Sequence, residues 1–263
     1  MTGFFATFAH PGANLQQPFD VAVVMPTIIR PQIAQALASV FAQNFPGRIQ
    51  VLVGVDVPRA NPSLVEAACV SRPANCVVQL FYPGYSTSGR HGGLCDAWDG
   101  GALRTLLSYL ANSRLVAYLD DDNWWHPDHL RALSEAIRDR DYVFSRRWFV
   151  HPQTCRIVAR DDWESVGPGQ GVYSQTFGGF IDPNCLMIDK TRCADVLPLW
   201  TKPLRGDPKA MSADRTVFDA LSRNFTGAGI DEPTVFYRLD PNDEMHPERM
   251  KALAQAYTAA GMT

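Results

Sequence analysis

Four continuous apolar runs, each ending at or near a polar turn, constrain the fold of this chain more than any other feature: "FDVAVVMPT", "IQVLVGVD", "CVVQLFY" and "LVAYLDDD". Runs of this length without polar alternation read as strands covered on both faces. Between the first two, "RPQIAQALASVFAQN" puts Ile33, Leu37, Val40 and Phe41 at helical spacing, and Pro31 suits a first helical turn. A short helix around 63–70 precedes the third run. A Gly-rich stretch, "YPGYSTSGRHGG", and a helix over 101–111 precede the fourth. Strands alternating with helices predict an α/β fold with a Rossmann-like, mainly parallel sheet.

The later part of the chain changes character. "HPDHLRALSEAIRD" reads as an amphipathic helix and "DYVFSRRWFVHPQTCRIVAR" as a strand followed by a hairpin. "SVGPGQGVYSQTFGG" is a glycine-rich loop, with Tyr173 and Phe177 in a segment that suits a closing flap. "FIDPNCLMIDK" returns to strand, and helices are expected over 212–223 and 247–260. No repeat or charged linker divides the chain. The expectation is an irregular arm over 1–19 and a single domain over 20–263, with a front part to 145 and a more variable rear from 146.

At 263 residues the chain can bury one substantial core. A net charge of -3 with no basic run argues against a dedicated nucleic-acid surface. No window approaches the roughly 18 consecutive apolar residues of a membrane helix. The first residues carry no Lys or Arg before Arg30 and no cleavage pattern, so no signal peptide is expected. Cys69, Cys76, Cys95, Cys155, Cys185 and Cys193 show no CxxC spacing. That pattern suits reduced thiols in a cytoplasmic protein rather than a zinc site. Peripheral association with a membrane and homo-oligomerisation are left open.

The acid cluster Asp120, Asp121 and Asp122 is the densest negative charge on the chain, and it follows an apolar strand directly. Ligands of open α/β sheets bind at the carboxyl ends of strands, which places Asp56 and the cluster on one rim. A "DDD" run also arises as a solvated loop capping the next helix. Holding three carboxylates on a rigid strand end, however, calls for a compensating cation, since each close pair repels by about a kcal/mol or more. Oxygen-only ligands suit Mg²⁺ or Mn²⁺, which share phosphate oxygens with a substrate.

The cluster, preceded by "LVAYL" and by Arg104 on a helix, resembles the DXD region of family 2 glycosyltransferases, which have the GT-A fold. The opening "VAVVMPTIIRPQIAQALASVFAQNFPGRIQVLVGVD" is similar to the start of the same family. The likeness covers about residues 20–130 and thins afterwards. It departs from the family pattern at Ile29, where Asn is common, at Thr105, also in place of Asn, and in "VGVD", where two aspartates are usual. The resemblance implies a nucleotide-sugar donor held by Pro26, Thr27, Arg30, Asp56, Arg104, Asp120 and Asp121. It implies Mn²⁺ or Mg²⁺ on Asp122, Asp120 and His246. The part over 20–145 then binds the nucleotide-sugar and the part over 146–263 the acceptor.

In "MSADRTVFDAL" the family pattern puts Asp214 in the position of the catalytic base, with Ala213 replacing the first acidic residue of the usual pair. A first-turn aspartate stabilised by the helix dipole is the alternative reading of Asp214. Trp124 and Trp125 are candidates for stacking on an acceptor sugar, with core packing as their alternative. The implied activity is metal-dependent transfer of a sugar, most commonly from a UDP-sugar, to an unknown glycan or small-molecule hydroxyl. Inversion is expected and the process is glycan or polysaccharide assembly. Ala213 and "VGVD" keep open a catalytically silent GT-A domain that only binds a nucleotide or glycan. A nucleotidyltransferase is disfavoured, because "MPTIIRPQ" lacks a Gly-rich basic phosphate loop.

Overall fold

The computed structural model describes residues 3–98, 100–176, 178–203 and 213–259, so Phe177 and the expected helix start at Ser212 lie outside the described residues. Strands β1 (Phe4–Phe8), β2 (Phe19–Thr27), β3 (Ile49–Val55), β4 (Cys76–Tyr82) and β5 (Ser113–Tyr118) form the front of one sheet. Helices α1 (Ile33–Phe41), α2 (Ser63–Ala68) and α3 (Gly101–Leu110) connect them. The order across this front is β1-β4-β3-β2-β5. The last four of these are mutually parallel.

Coverage on both faces explains the uninterrupted apolar runs: all of β3 is buried, and all of β2 except Asp20. Gly54 is demanded by close packing, because a Cβ there would lie 2.8 Å from Leu107 Cδ1 of α3. The lead-in is more ordered than an irregular arm, since β1 pairs antiparallel with β4 along the sheet edge. Phe4 packs edge-on against Tyr82 and Phe5 against Phe81.

The rear contributes β6 (Trp124–Trp125), α4 (His129–Ala136), β7 (Tyr142–Val150), β8 (Ile157–Arg160), β9 (Gly167–Pro168) and β10 (Gly179–Phe180). After these come β11 (Leu186–Asp189), α5 (Asp214–Asn224), β12 (Gly227–Arg238) and α6 (His246–Ala259). β11 lies antiparallel between β5 and β7. β12 runs parallel to β7, β6 closes the edge, and β8 forms the expected hairpin on β7. Front and rear therefore share one mixed sheet, and one apolar core runs from Val21 to Val235.

The chain lays down β2, β3 and β4 in one direction and then returns to the other side of β2 with β5. That reversal is a topological switch point. The loops leaving β2 and β5 diverge there and open a crevice at the carboxyl ends of the strands.

Candidate active site

Asp121 is the hinge of the crevice. It is 1% exposed and accepts from Thr27 Oγ1 at 2.5 Å and from Arg30 Nη1 at 2.5 Å. Thr27 Oγ1 in turn accepts from the Ile29 backbone N–H at 2.7 Å. This compact turn forces Ile29 to φ +61°, a left-handed conformation that a β-branched residue adopts only under strain. The family pattern that this stretch resembles commonly has Asn here, which tolerates that region. The departure seen in the sequence is thus a strained position in the structure.

Asp120 is gripped from two sides. Arg104 Nη2 pairs with Oδ1, and Asn184 Nδ2 donates to Oδ2 at 2.9 Å. Asn184 Oδ1 also accepts from the Asp120 backbone N–H at 2.6 Å. Asp122 is different: its side chain is 33% exposed, and its ion pair with Arg30 Nη1 is long, at 3.6 Å. Burial pushes its carboxyl up to about 7; Arg30 opposes this, and Asp120 and Asp121 add to it. The cation expected from carboxylate repulsion is therefore supplied in part by Arg30 and Arg104, while Asp120 and Asp122, with side chains 28% and 33% exposed, both remain on the crevice wall.

The crevice is a cavity of about 690 Å³. Pro26, Thr27, Arg30, Asp56, Arg104, Asp120, Asp121, Asp122 and Asp214 all line it. Asp56 accepts from the Thr87 backbone N–H at 2.5 Å and from the hydroxyls of Ser86 and Thr87, so its carboxylate also anchors the Gly-rich loop. In "VGVD", Val55 stands one place before Asp56 and is fully buried, where a second carboxylate would have no partner in water. Asp214 opens α5 and accepts from its neighbouring Arg215 backbone N–H at 2.7 Å.

Three expected site residues lie elsewhere. Trp125 is 2% exposed, stacks on His129 at 4.2 Å, and donates from Nε1 to the Asn184 carbonyl at 2.9 Å. It is a core residue and offers no face to an acceptor. Trp124 pairs across β6 and β12 and stacks on Phe236 at 5.4 Å; it does not line the cavity itself, and Arg238, which does, lies over its ring at 5.3 Å. His246 starts α6 and is likewise absent from the wall, where Asp240, Asn242, Asp243, Glu244 and Met245 of the preceding loop stand instead.

Several wall residues had no signal strong enough to single them out. Arg90, His91 and Trp98 reach the cavity from the Gly-rich loop and its continuation, with the Arg90 guanidinium 4.7 Å from the Trp98 ring centre. At the rear, Arg147 is fully buried in β7 and pairs with Asp161 at 2.7 Å, Glu164 at 2.6 Å and Asp182 at 2.5 Å. Arg249 of α6 joins the same group through Glu164 at 2.7 Å and Asp243 at 2.6 Å. Burial raises the Asp182 carboxyl to about 6, against the opposing charge of Arg147. An arginine inside an otherwise buried strand was the available clue, but its partners are far away in sequence.

Among the described residues, no group of three or more His, Cys, Asp or Glu side chains is arranged to hold a metal ion. The donors that do face the cavity are carboxylate oxygens, led by Asp122, with Asp120 beside it. This set suits a hard divalent ion that takes its remaining oxygens from water and a bound phosphate. The residues fit such an ion only when a substrate completes its shell.

No family model matches the sequence, and no curated protein matches it. Solved structures do. S. aureus TarS superposes with a TM-score of 0.55 at 16% identity, over 90% of this chain and 39% of that one. The fold is that of the GT-A glycosyltransferases. TarS 1-349 in complex with UDP-GlcNAc gives 0.55 at 15% identity, covering 90% of this chain and 66% of that one. The mannosyltransferase PcManGT from Pyrobaculum calidifontis, in complex with GDP-Man and Mn²⁺, gives 0.55 at 16% identity over 94% of this chain and 65% of that one. The chain thus spans between two fifths and two thirds of the length of these structures. Among its described residues no helix is long and apolar enough to cross a membrane.

Proposed function

We propose that this GT-A protein is a metal-dependent glycosyltransferase that moves a sugar from a nucleotide-sugar, first of all a UDP-sugar, to an acceptor hydroxyl with inversion. The observation that carries this is the convergence of Asp56, the acid cluster and Asp214 on one cavity at the switch point. Support also comes from the fold neighbours solved with UDP-GlcNAc and with GDP-Man and Mn²⁺.

In this proposal Asp56 meets the base or ribose, and Arg30 and Arg104 order the acids beside the diphosphate. Asp122, with Asp120, holds Mn²⁺ or Mg²⁺. When bound, the ion supplies charge neutralisation on the departing nucleoside diphosphate. Asp214 accepts the proton of the acceptor hydroxyl as its oxygen bonds to the anomeric carbon and the bond from that carbon to the phosphate oxygen breaks. One in-line displacement of this kind inverts configuration and needs no covalent enzyme intermediate. The proposed setting is glycan or polysaccharide assembly in the cytoplasm or at a membrane surface.

Calorimetric titration with UDP, GDP and dTDP, with and without Mn²⁺, tests the donor half of the site. Metal-dependent binding of one nucleotide, lost in Asp122→Ala, is the expected result. Binding of none of them would remove the assignment. A domain that only binds its donor would instead show full affinity and no turnover, with Asp214→Asn indistinguishable from the parent.

A further inference from the structure

We propose that Asn184 is a positioning residue that sets the Asp120 carboxylate, and with it the turn of residues 120–122, for a cation-bound nucleoside diphosphate. The inference rests on the donor reading above and extends it to a residue outside the acid cluster.

Asn184 is fully buried, in the short 3₁₀ turn Pro183–Cys185 that leads into β11. Its side-chain oxygen accepts from the Asp120 backbone N–H at 2.6 Å, while its nitrogen donates to Asp120 Oδ2 at 2.9 Å. The same nitrogen donates to Asp182 Oδ1 at 2.6 Å. A carboxamide has one acceptor and two donor hydrogens, and each is used here. The orientation of the amide follows from its surroundings, because a flip would turn its oxygen towards two carboxylates and its nitrogen towards an N–H.

The grip is braced from behind. Asp182 Oδ1 also accepts from the Asn184 backbone N–H at 2.8 Å, and Asp182 Oδ2 accepts from the buried Arg147 at 2.5 Å. Pro183, between the two, stiffens the turn. A continuous line of charge-assisted bonds therefore runs from Arg147 in β7, through Asp182 and Asn184, to Asp120 at the cavity wall. Arg104 holds the other Asp120 oxygen. With both oxygens and the backbone amide fixed, the Asp120 carboxylate has one orientation, and the strand end that presents Asp122 is held with it. Aspartate at position 184 has no donor for these contacts, and glutamine carries its amide one methylene further out.

Nucleotide affinity measured by calorimetry, with and without Mn²⁺, reads this role directly. UDP, GDP and dTDP are the probes, and the proteins are the full chain, Asn184→Ala and Asn184→Asp, each checked by thermal unfolding. Asn184→Asp keeps the volume and the acceptor but sets a third carboxyl against Asp120 and Asp182, so Asn184→Ala, which removes the grip without adding charge, reports where the aspartate variant does not fold. The expected result is that the gain in affinity conferred by Mn²⁺ falls by about 10- to 100-fold in a folded variant, while metal-free affinity stays within about threefold. A merely structural asparagine would lower the unfolding temperature and leave the Mn²⁺ gain intact, and that outcome overturns the proposal. Combining Asn184→Asp with Asp120→Asn gives a second reading: effects through Asp120 are non-additive, and full additivity overturns the proposal. No nucleotide binding by the unsubstituted chain would overturn the donor reading and this inference together, whereas binding with an unchanged Mn²⁺ gain overturns this inference alone.

Discussion

Thr27 Oγ1 donates to Asp121 Oδ2 across 2.5 Å, and this bond joins the ends of β2 and β5 where the sheet order reverses. The crevice of the candidate active site opens beside it. Because Asp121 is almost wholly buried, the bond also satisfies a carboxylate that water cannot reach.

Thr27→Val keeps the shape of the side chain and removes its hydroxyl. It leaves Asp121 and the Ile29 N–H each short of a partner, so the expected loss is about 1–3 kcal/mol. Urea unfolding of Thr27→Val and Thr27→Ser checks this. Serine restores most of the stability, and equal losses in both variants would show that packing, not the hydroxyl, is what matters.

Ile29 at φ +61° stores backbone strain beside the site. Ile29→Asn relieves about 1–2 kcal/mol of it and gives up some apolar contact with the core. The net expectation is a rise in unfolding temperature of about 2–4 °C. A fall in melting temperature would mean that the lost apolar contact outweighs the strain.

Asp214→Asn preserves the start of α5 and removes the proposed proton acceptor. Turnover of the nucleotide-sugar with an acceptor is expected to drop by about 100- to 10,000-fold, with nucleotide affinity unchanged. Steady-state kinetics beside calorimetry separates the two quantities. Weakened nucleotide binding in step with lost turnover would move Asp214 to the donor side of the site.

Arg147 compensates Asp161, Glu164 and Asp182 with no access to water. Arg147→Met leaves these buried carboxylates without their shared cation, at an expected cost of about 3–5 kcal/mol. The shift of the urea midpoint measures it. A loss below about 1 kcal/mol would indicate that Arg249 takes over the pairing.

His129 is fully buried between Trp125 and a hydrogen bond to Thr234 Oγ1 at 2.7 Å. Burial, with a smaller contribution from His126, lowers its pKa to about 3. The unfolded chain takes up this proton below pH about 6.5 and the folded chain does not. The stability due to neutral His129 is thus fully present above pH about 6.5 and is lost as pH falls from there towards 3, by up to about 1.4 kcal/mol per pH unit. The raised carboxyls of Asp122 and Asp182 act in the opposite direction, so the difference between the parent and His129→Asn isolates the histidine. Parallel stability curves for the two proteins between pH 4.5 and 6.5 would exclude it as the cause.

The apolar runs, the helical spacing of Ile33, Leu37 and Val40, and the position of the acid cluster at a strand end were all legible in the sequence. Each depends on local periodicity or on a neighbour a few residues away, and the parallel order of the front strands follows from their alternation with helices. The shared rim of Asp56 and the acid cluster followed from the strand-end rule, whereas Asp214 joined them only through the resemblance, since nothing local relates the end of β3 to the start of α5. The tertiary structure alone decided how closely each acid is gripped. Arg30 and Arg104 were named through the resemblance, but their pairing with Asp121 and Asp120, and the whole role of Asn184, are tertiary contacts that no spacing rule records. It also sent Trp125 into the core and His246 off the cavity wall, although both have residue types that suit a site. Buried charge is the common reason: the partners of Asp121 and Arg147 are set by where strands meet in space, and a linear pattern carries no trace of that meeting.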